Sequence, residues 1–384
     1  MDVMKPLKVM TVVGTRPEII RLSAVIKRLD EVVDHTLVHT GQNYDFSLNE
    51  VFFRDLGLRE PDVFLRIATT SLGASLGQIL QGTEQAIQDV RPDAFLVLGD
   101  TNSAISAVMA RRMKVPVYHM EAGNRCFDSN VPEEVNRRLV DHVSDVNLVY
   151  TEHARRHLLA EGLPHRFIYL TGSPMGEVLA NQAGAVARSD VLQRLELEPG
   201  QYLVVSAHRE ENVDDRSRLE TLLETLEALA RTFERPVVVS THPRTRSRLD
   251  QAGFDVSSDQ VRFLEPFGFN DFLRLQKDAF CVVSDSGTIS EESSILGFPA
   301  VTIRDSMERP EALDSGSVMI TGIDPSSVIR SVRLMTERPV SADAIPMEYR
   351  ITDTSERVVR LIVGTAALVP TWRNLSAFNR YEWE

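Results

Sequence analysis

Short apolar runs alternate with longer stretches of helical period along most of the chain. Lys8–Val13 is such a run, ending at Gly14-Thr15-Arg16-Pro17-Glu18, after which Ile19, Leu22, Ile26 and Leu29 recur at the spacing of one helix face. Residues 36–39, 94–98, 115–120 and 146–150 predict further strands, the second followed by a small-residue helix over 103–110 and the last by a helix over 152–161. The pattern restarts at 202–206, continues through a long periodic helix at 218–233, and then through strands at 237–240, 261–264, 279–283 and 300–303. Buried strands each followed by a helix predict a parallel sheet covered on both faces, here twice over.

The Gly/Pro break Leu170-Thr171-Gly172-Ser173-Pro174 separates the two series. It predicts an N-terminal Rossmann-like domain over 1–172 and a C-terminal Rossmann-like domain over 173–365, with a helical stretch at 175–197. The tail 366–384 carries Trp372, Phe378, Tyr381 and Trp383, too much aromatic surface to leave in water, and is expected to pack back on the body or on a second subunit. Polar residues gather at the carboxyl ends of strands in both series, the edge where open α/β sheets bind ligands. The expected fold class is α/β, two Rossmann-like domains in a GT-B-like arrangement with the active site in the interdomain cleft. No strand is followed by GxGxxG, which argues against NAD.

Composition narrows the class. The 384 residues suffice for two cores, and 43% hydrophobic with 25% charged residues is ordinary for a soluble globular protein. A net charge of −13 argues against a nucleic-acid partner, whose phosphates are met by clustered Lys and Arg. Cys126 and Cys281 are the only two cysteines, which fits neither a disulfide framework nor a zinc site and points to a reducing cytoplasm. No apolar stretch approaches the roughly 20 residues that span a bilayer, and the N-terminus has no signal-peptide pattern. No membrane, metal or other cofactor is expected.

Several clusters carry chemistry. Val282-Val283-Ser284-Asp285-Ser286-Gly287-Thr288 is a strand running into a turn, and 289–296 then opens a helix whose first turn holds Glu291 and Glu292. Such a unit aims backbone N–H groups at an anion. The two glutamates suit the positive end of the helix dipole, and equally suit hydrogen bonds to sugar or ribose hydroxyls. Arg16 at a helix start opposes the dipole, a placement that makes sense beside a phosphate, and Arg21 lies one turn on. Asp100 and Glu121 each end an apolar strand, Asp100 also being placed to cap a helix. Glu133 and Glu134 follow Pro132 at another helix start, and Arg137 sits one turn later. Carboxylates grouped in a partly dry cleft shift one another's proton affinity, as acid/base chemistry at carbon requires. His208 directly follows the first strand of the second series, placed to bind a diphosphate or move a proton. His119 falls within a strand, and no His pair has metal-ligand spacing.

These residues together resemble the non-hydrolysing UDP-N-acetylglucosamine 2-epimerase family. The matching segments are Gly14-Thr15-Arg16-Pro17-Glu18, Gly99-Asp100-Thr101, Glu121-Ala122-Gly123, Pro132-Glu133-Glu134 with Asn136-Arg137, and Ala207-His208-Arg209-Glu210-Glu211-Asn212. Asp285-Ser286-Gly287, Glu291-Glu292 and Glu308-Arg309-Pro310-Glu311 complete a series in the family's order. The resemblance implies C2 epimerisation of a UDP-sugar without NAD or metal: the C2 proton leaves with UDP, a 2-acetamidoglycal forms, and UDP adds back as C2 is reprotonated on the other face. It implies acid/base roles for Asp100, Glu121 and Glu133, assisted by His208, Arg16 and Arg137. It also implies that Ser286, Gly287, Thr288 and Glu292 hold phosphates and ribose, with Arg21 and Arg309 nearby and Phe272 beside the uracil. A homodimer is implied as well.

Departures from the family pattern bear on the sugar. Arg21 stands where Lys is usual, Thr288 where a second Gly is usual, and Gly123-Asn124-Arg125-Cys126 opens a shortened loop in place of Gly-Leu-Arg-Thr. With Gly41-Gln42-Asn43-Tyr44-Asp45, this resembles the branch acting on 6-deoxy-L-sugars, the UDP-2-acetamido-2,6-dideoxy-β-L-talose 2-epimerases that convert UDP-N-acetyl-L-pneumosamine to UDP-N-acetyl-L-fucosamine for surface polysaccharides such as capsule and O-antigen. Gln42 and His242 match positions of the family's allosteric site, but Asn43-Tyr44-Asp45 replaces the usual His-Arg-Glu and argues against allostery. Competing readings are a UDP-GlcNAc/ManNAc 2-epimerase, a UDP-L-rhamnosamine-type 2-epimerase, a GT-B UDP-sugar glycosyltransferase, a UDP-sugar sensor, and a hydrolytic variant releasing UDP.

Overall fold

The computed structural model describes residues 6–41, 53–67, 71–254, 258–338, 341 and 345–375. They form two α/β units, 1–180 with 351–384 and 181–350. In the first unit seven strands pair in parallel: β1 (Lys8–Val13), β2 (Asp34–His39), β3 (Val63–Phe64), β4 (Ala94–Leu98), β5 (Val117–Met120), β6 (Val146–Val149) and β7 (Ile168–Leu170), in the order β3-β2-β1-β4-β5-β6-β7. Their apolar side chains are buried on both faces, which is why the strands read as continuous runs. The second unit has six parallel strands, β8 (Leu203–Ser206), β9 (Val237–Ser240), β10 (Val261–Leu264), β11 (Cys281–Ser284), β12 (Ala300–Thr302) and β13 (Met319–Ile320), ordered β10-β9-β8-β11-β12-β13. Both units are Rossmann-like, as the sequence predicts.

Each order reverses at one point, between β1 and β4 in the first unit and between β8 and β11 in the second. Loops leaving adjacent strands diverge there, opening a crevice at the carboxyl edge. The residues that leave those strands are Gly14-Thr15 and Gly99-Asp100 in one unit, and Ala207-His208 and Asp285-Ser286 in the other.

The sequence carries the second domain to residue 365, whereas the described residues 351–375 belong to the first unit. Side-chain ties account for this return. Thr354 Oγ1 donates to the Ser173 carbonyl at 3.1 Å, and Ser355 N–H donates to Glu177 Oε2 at 2.8 Å. The helix Thr354–Thr365 lies against the helix Arg16–Val32, with Arg28 Nε 2.8 Å from Glu356 Oε2. Beyond it, Trp372 stacks obliquely near Phe167, and the Arg373 guanidinium sits 3.7 Å over the Phe167 ring. Phe378, Tyr381 and Trp383 lie outside the described residues. Among the described residues no helix is long and apolar enough to cross a membrane.

Candidate active site

The turn after β1 is built by Glu18. It is the third residue of the helix Arg16–Val32, and its Oε2 accepts from the N–H groups of Gly14 and Thr15 at 2.9 and 2.7 Å. Its other oxygen accepts from Ser103 Oγ, joining this turn to the one after β4. Burial pushes the Glu18 carboxyl up, against the hydrogen bonds of Ser103, Thr15 and Gly14. Gly14 is required by close approach, since a Cβ there would fall 2.4 Å from Thr40 Oγ1 and 2.9 Å from Ser103 Cβ. Arg16 takes the first helical position and is half-buried.

Arg21 faces the adjacent strand ends. Its guanidinium pairs with Glu121 Oε2, while Asn124 Nδ2 donates to Glu121 Oε1 at 3.2 Å. Glu121 has φ +65°, a left-handed backbone that side chains other than Gly adopt at some cost. Leu98 of β4 and Met120 of β5 are register partners, so Asp100 and Glu121 leave neighbouring strands side by side. A Cβ on Gly99 would lie 3.8 Å from Glu121 Oε2. Asp100 is held by Arg137, whose Nε and Nη2 both donate to Oδ2, and Asn136 Nδ2 donates to the Asp100 carbonyl at 2.9 Å. The structure thus brings together Arg21, Asp100, Glu121 and Arg137 from four separate segments.

Glu133 and Glu134 part company at the start of the helix Pro132–Val143. Glu133 is exposed, whereas Glu134 is buried and accepts from Cys126 N–H at 3.1 Å, from the Cys126 thiol at 3.3 Å, and from Arg137 and Arg138. Burial pushes its carboxyl up, but these partners outweigh burial and hold it below the ordinary range. Beneath both strand-end loops lies a buried ionic cluster. Asp141 Oδ2 accepts from Arg125 Nη1 at 2.7 Å, and Asp141 also accepts from Gly123 N–H. His119 sits 2.9 Å from Asp141 Oδ1 through Nδ1, and its Nε2–H donates to the Gly99 carbonyl at 2.8 Å. Asp141 therefore ties the Glu121 loop to the Asp100 loop.

In the second unit the organising group is Asp285, fully buried at the end of β11. It accepts from the N–H groups of His208 and Arg209 at 3.0 Å each and from Asn212 Nδ2 at 3.0 Å. His208 Nδ1 stands 3.2 Å from Asp285 Oδ1, leaving the half-exposed ring edge outward beside the His242 ring. Arg209 Nε donates to the Asp285 carbonyl at 3.0 Å. Ser286 Oγ and Thr288 Oγ1 lie 3.1 Å apart in the turn, and a Cβ on Gly287 would meet nothing nearer than Arg209 Nη2 at 3.9 Å. Thr288 directly precedes the helix Ile289–Leu296 without a capping hydrogen bond from its side chain. Glu291 is wholly buried and pairs with Arg309 Nη1 at 2.8 Å, and Glu292 accepts from Gln276 Nε2 at 2.9 Å. Phe272, half-buried on the helix Phe269–Lys277, packs against the core of this unit.

Asn124, Asp285, Arg209 and Asp141 organise these loops although the sequence alone points to no role for them. Asn124 stands in a loop that departs from the family pattern, and Asp285 in the segment Asp285-Ser286-Gly287; Asp141 carries no local signal. Gln42, Asn43, Tyr44 and Asp45 lie outside the described residues. Among the described residues no three His, Cys, Asp or Glu side chains gather as a metal site.

Comparison with known proteins places this arrangement. The family described as UDP-N-acetylglucosamine 2-epimerase matches residues 27–363. A UDP-N-acetylglucosamine 2-epimerase from Rickettsia bellii has a similar structure, with a TM-score of 0.87 at 42% identity, covering 95% of this chain and 98% of that one. The UDP-GlcNAc 2-epimerase of Methanocaldococcus jannaschii, solved with UDP-GlcNAc and UDP, gives 0.87 at 31% identity over 93% of this chain and 100% of that one. The UDP-2,3-diacetamido-2,3-dideoxy-D-glucuronate 2-epimerase of Pseudomonas aeruginosa is 33% identical over 88% of this chain and 94% of its own length. These comparisons place the two Rossmann-like units among the sugar-nucleotide isomerases of this fold. The chain belongs to the UDP-N-acetylglucosamine 2-epimerase family and is a 2-epimerase.

Proposed function

We propose that the protein epimerises C2 of a UDP-2-acetamido-2,6-dideoxy-L-hexose, converting UDP-N-acetyl-L-pneumosamine to UDP-N-acetyl-L-fucosamine. A carboxylate takes the proton from C2, the C1–O bond to UDP breaks, and a C1=C2 double bond forms. UDP then re-forms its bond to C1 while a second acid returns a proton to the other face of C2. Nothing is oxidised or reduced overall, so the cycle needs no NAD. The observation that carries this reading is the side-by-side placement of Asp100 and Glu121 at the ends of β4 and β5, each held by its own arginine. Two positioned carboxyl groups are what removal and return of one C–H proton require.

In this reading Asp100, Glu121 and Glu133 serve as acid and base, with Arg16 and Arg137 beside the departing diphosphate. Ser286, Gly287 and Thr288 take the phosphates at the switch point of the second unit, and His208, oriented by Asp285, donates to them. Glu292 and Arg309 support the ribose side, Phe272 the uracil. The 6-deoxy-L sugar is supported by Arg21 and by the loop Asn124-Arg125-Cys126, whose Asn124 donates to Glu121. The same reading expects a homodimer working in the cytoplasm toward surface polysaccharide.

A second reading, UDP-N-acetylglucosamine as substrate, is favoured by the names of the Rickettsia and Methanocaldococcus proteins. Incubation with each UDP-sugar separately, without acceptor, followed by anion-exchange separation of products decides between them. Turnover of UDP-N-acetyl-L-fucosamine to a second UDP-sugar supports the first reading. Turnover of UDP-N-acetylglucosamine alone overturns it, and stoichiometric UDP release indicates hydrolysis.

A further inference from the structure

Glu121, at the end of β5 in the first unit, still reaches solvent, with 11% of its side chain exposed. Arg21 occupies Oε2, Asn124 Nδ2 occupies Oε1, and the backbone of Glu121 is held at φ +65°. A non-glycine residue persists in that region only when its surroundings over-determine it. Those surroundings are visible. The carbonyl of Asn124 accepts from Arg125 Nη1 at 2.7 Å, and the Arg125 guanidinium is itself locked by Asp141 at 2.7 Å and by Glu161 at 2.7 and 2.6 Å. Arg125 is 1% exposed, so this anchor is not a surface ion pair. Asn124, at 8% exposure, therefore stands on a rigid base with its amide aimed at Glu121.

We infer that Asn124 is a positioning residue for the epimerisation, fixing the Glu121 carboxylate through Oε1 so that Glu121 serves as the proton acceptor at C2. The inference rests on the reading of Asp100 and Glu121 as the acid/base pair. Arg21 and Asn124 each give Glu121 an N–H donor, which an ionised carboxylate accepts and a protonated one accepts less well. The charged and titratable groups around it include Arg21 from the first helix, Asp100 of the neighbouring turn with Arg137 on it, and His119, turned toward Asp141. Removing the Asn124 amide takes away the hydrogen bond that holds Oε1, while Arg21 remains on Oε2.

The test is kcat and KM as functions of pH for wild type, Asn124→Leu, Asn124→Asp and Asn124→Gln, with UDP affinity by calorimetry as a check on the nucleotide site. Asn124→Leu is expected to lower kcat about tenfold with KM nearly unchanged, and to move the acidic limb of the kcat profile to higher pH. Asn124→Asp, nearly isosteric, should move that limb further because it sets a like charge against Glu121, and it carries the test if the leucine variant fails to fold. Asn124→Gln, which restores an amide, should recover part of the loss. Variants whose kcat profile overlays that of wild type, or which change KM alone, overturn the inference. A uniform loss at all pH values without recovery by Gln overturns it too. A wild-type enzyme that exchanges the C2 proton of no UDP-N-acetylhexosamine overturns the underlying epimerase reading instead.

Discussion

Arg137 donates from Nε and Nη2 to a single oxygen of Asp100, at 3.0 and 2.6 Å, while its Nη1 donates to Glu134 at 3.1 Å. One guanidinium thereby fixes a strand-end carboxylate and the base of the helix Pro132–Val143 at once. Lysine keeps the charge but not the fork. Arg137→Lys is expected to lower kcat by about 10²-fold while the protein still folds. Steady-state kinetics beside a melting curve checks this, and a variant retaining most of its activity would contradict it.

Neighbouring glutamates should give opposite signatures. Glu133 is exposed, so Glu133→Gln is expected to leave the melting temperature unchanged and to lower kcat by at least about 10²-fold. Glu134 is buried under five donors, so Glu134→Gln is expected to lower the melting temperature by several degrees. Equal stability of the two variants would contradict the assignment.

The strand ends were legible because buried parallel strands read as apolar runs and the polar residues that follow stand out. Edge strands of two or three residues, β3, β7 and β13, carry too short a pattern to be seen. Strand order was not legible either, and with it went the pairings that make the site. Arg21 meets Glu121 and Arg137 meets Asp100 only because β1, β4 and β5 are neighbours. The face of Glu134 was hidden for a related reason: two adjacent glutamates at a helix start look alike until Cys126 and Arg138 are seen to take one of them. The return of 351–375 to the first unit is tied in part by Thr354 and Ser355, two hydroxyl residues with no distinguishing sequence signal.

Glu161 gives the ionic cluster a pH signature. Its hydrogen bonds and charge contact with Arg125, aided by His142 and Arg138, hold its carboxyl at about 2 despite burial. A folded-state value below the unfolded one means that the unfolded chain binds more protons, so stability rises with pH across the window. The contribution is present above roughly pH 5 and is lost as pH falls toward 2. Glu161→Gln should be less stable than wild type at pH 7 by on the order of 2 kcal/mol once partial exposure is allowed for. Denaturation at a series of pH values should show the two curves converging in acid; a gap that widens there would contradict the assignment.

Gly14→Ala tests the close approach of the first turn to its neighbours. The added carbon would fall 2.4 Å from Thr40 Oγ1 and 2.9 Å from Ser103 Cβ, so one of those side chains and the Glu18 hydrogen bonds must shift. The expected cost is about 1–3 kcal/mol, with activity reduced, as read from chemical denaturation and kinetics. An alanine variant of wild-type stability would contradict the packing described for this turn.

The central claim is removal and return of the C2 proton by the Asp100 and Glu121 group. Proton NMR of the enzyme with UDP-N-acetyl-L-fucosamine in deuterated water, without acceptor or NAD, tests it most directly. The account predicts loss of the C2 proton signal together with the appearance of a second UDP-sugar deuterated at C2. Formation of a second UDP-sugar with the C2 proton retained would contradict it, as would the absence of exchange with this sugar and with UDP-N-acetylglucosamine alike.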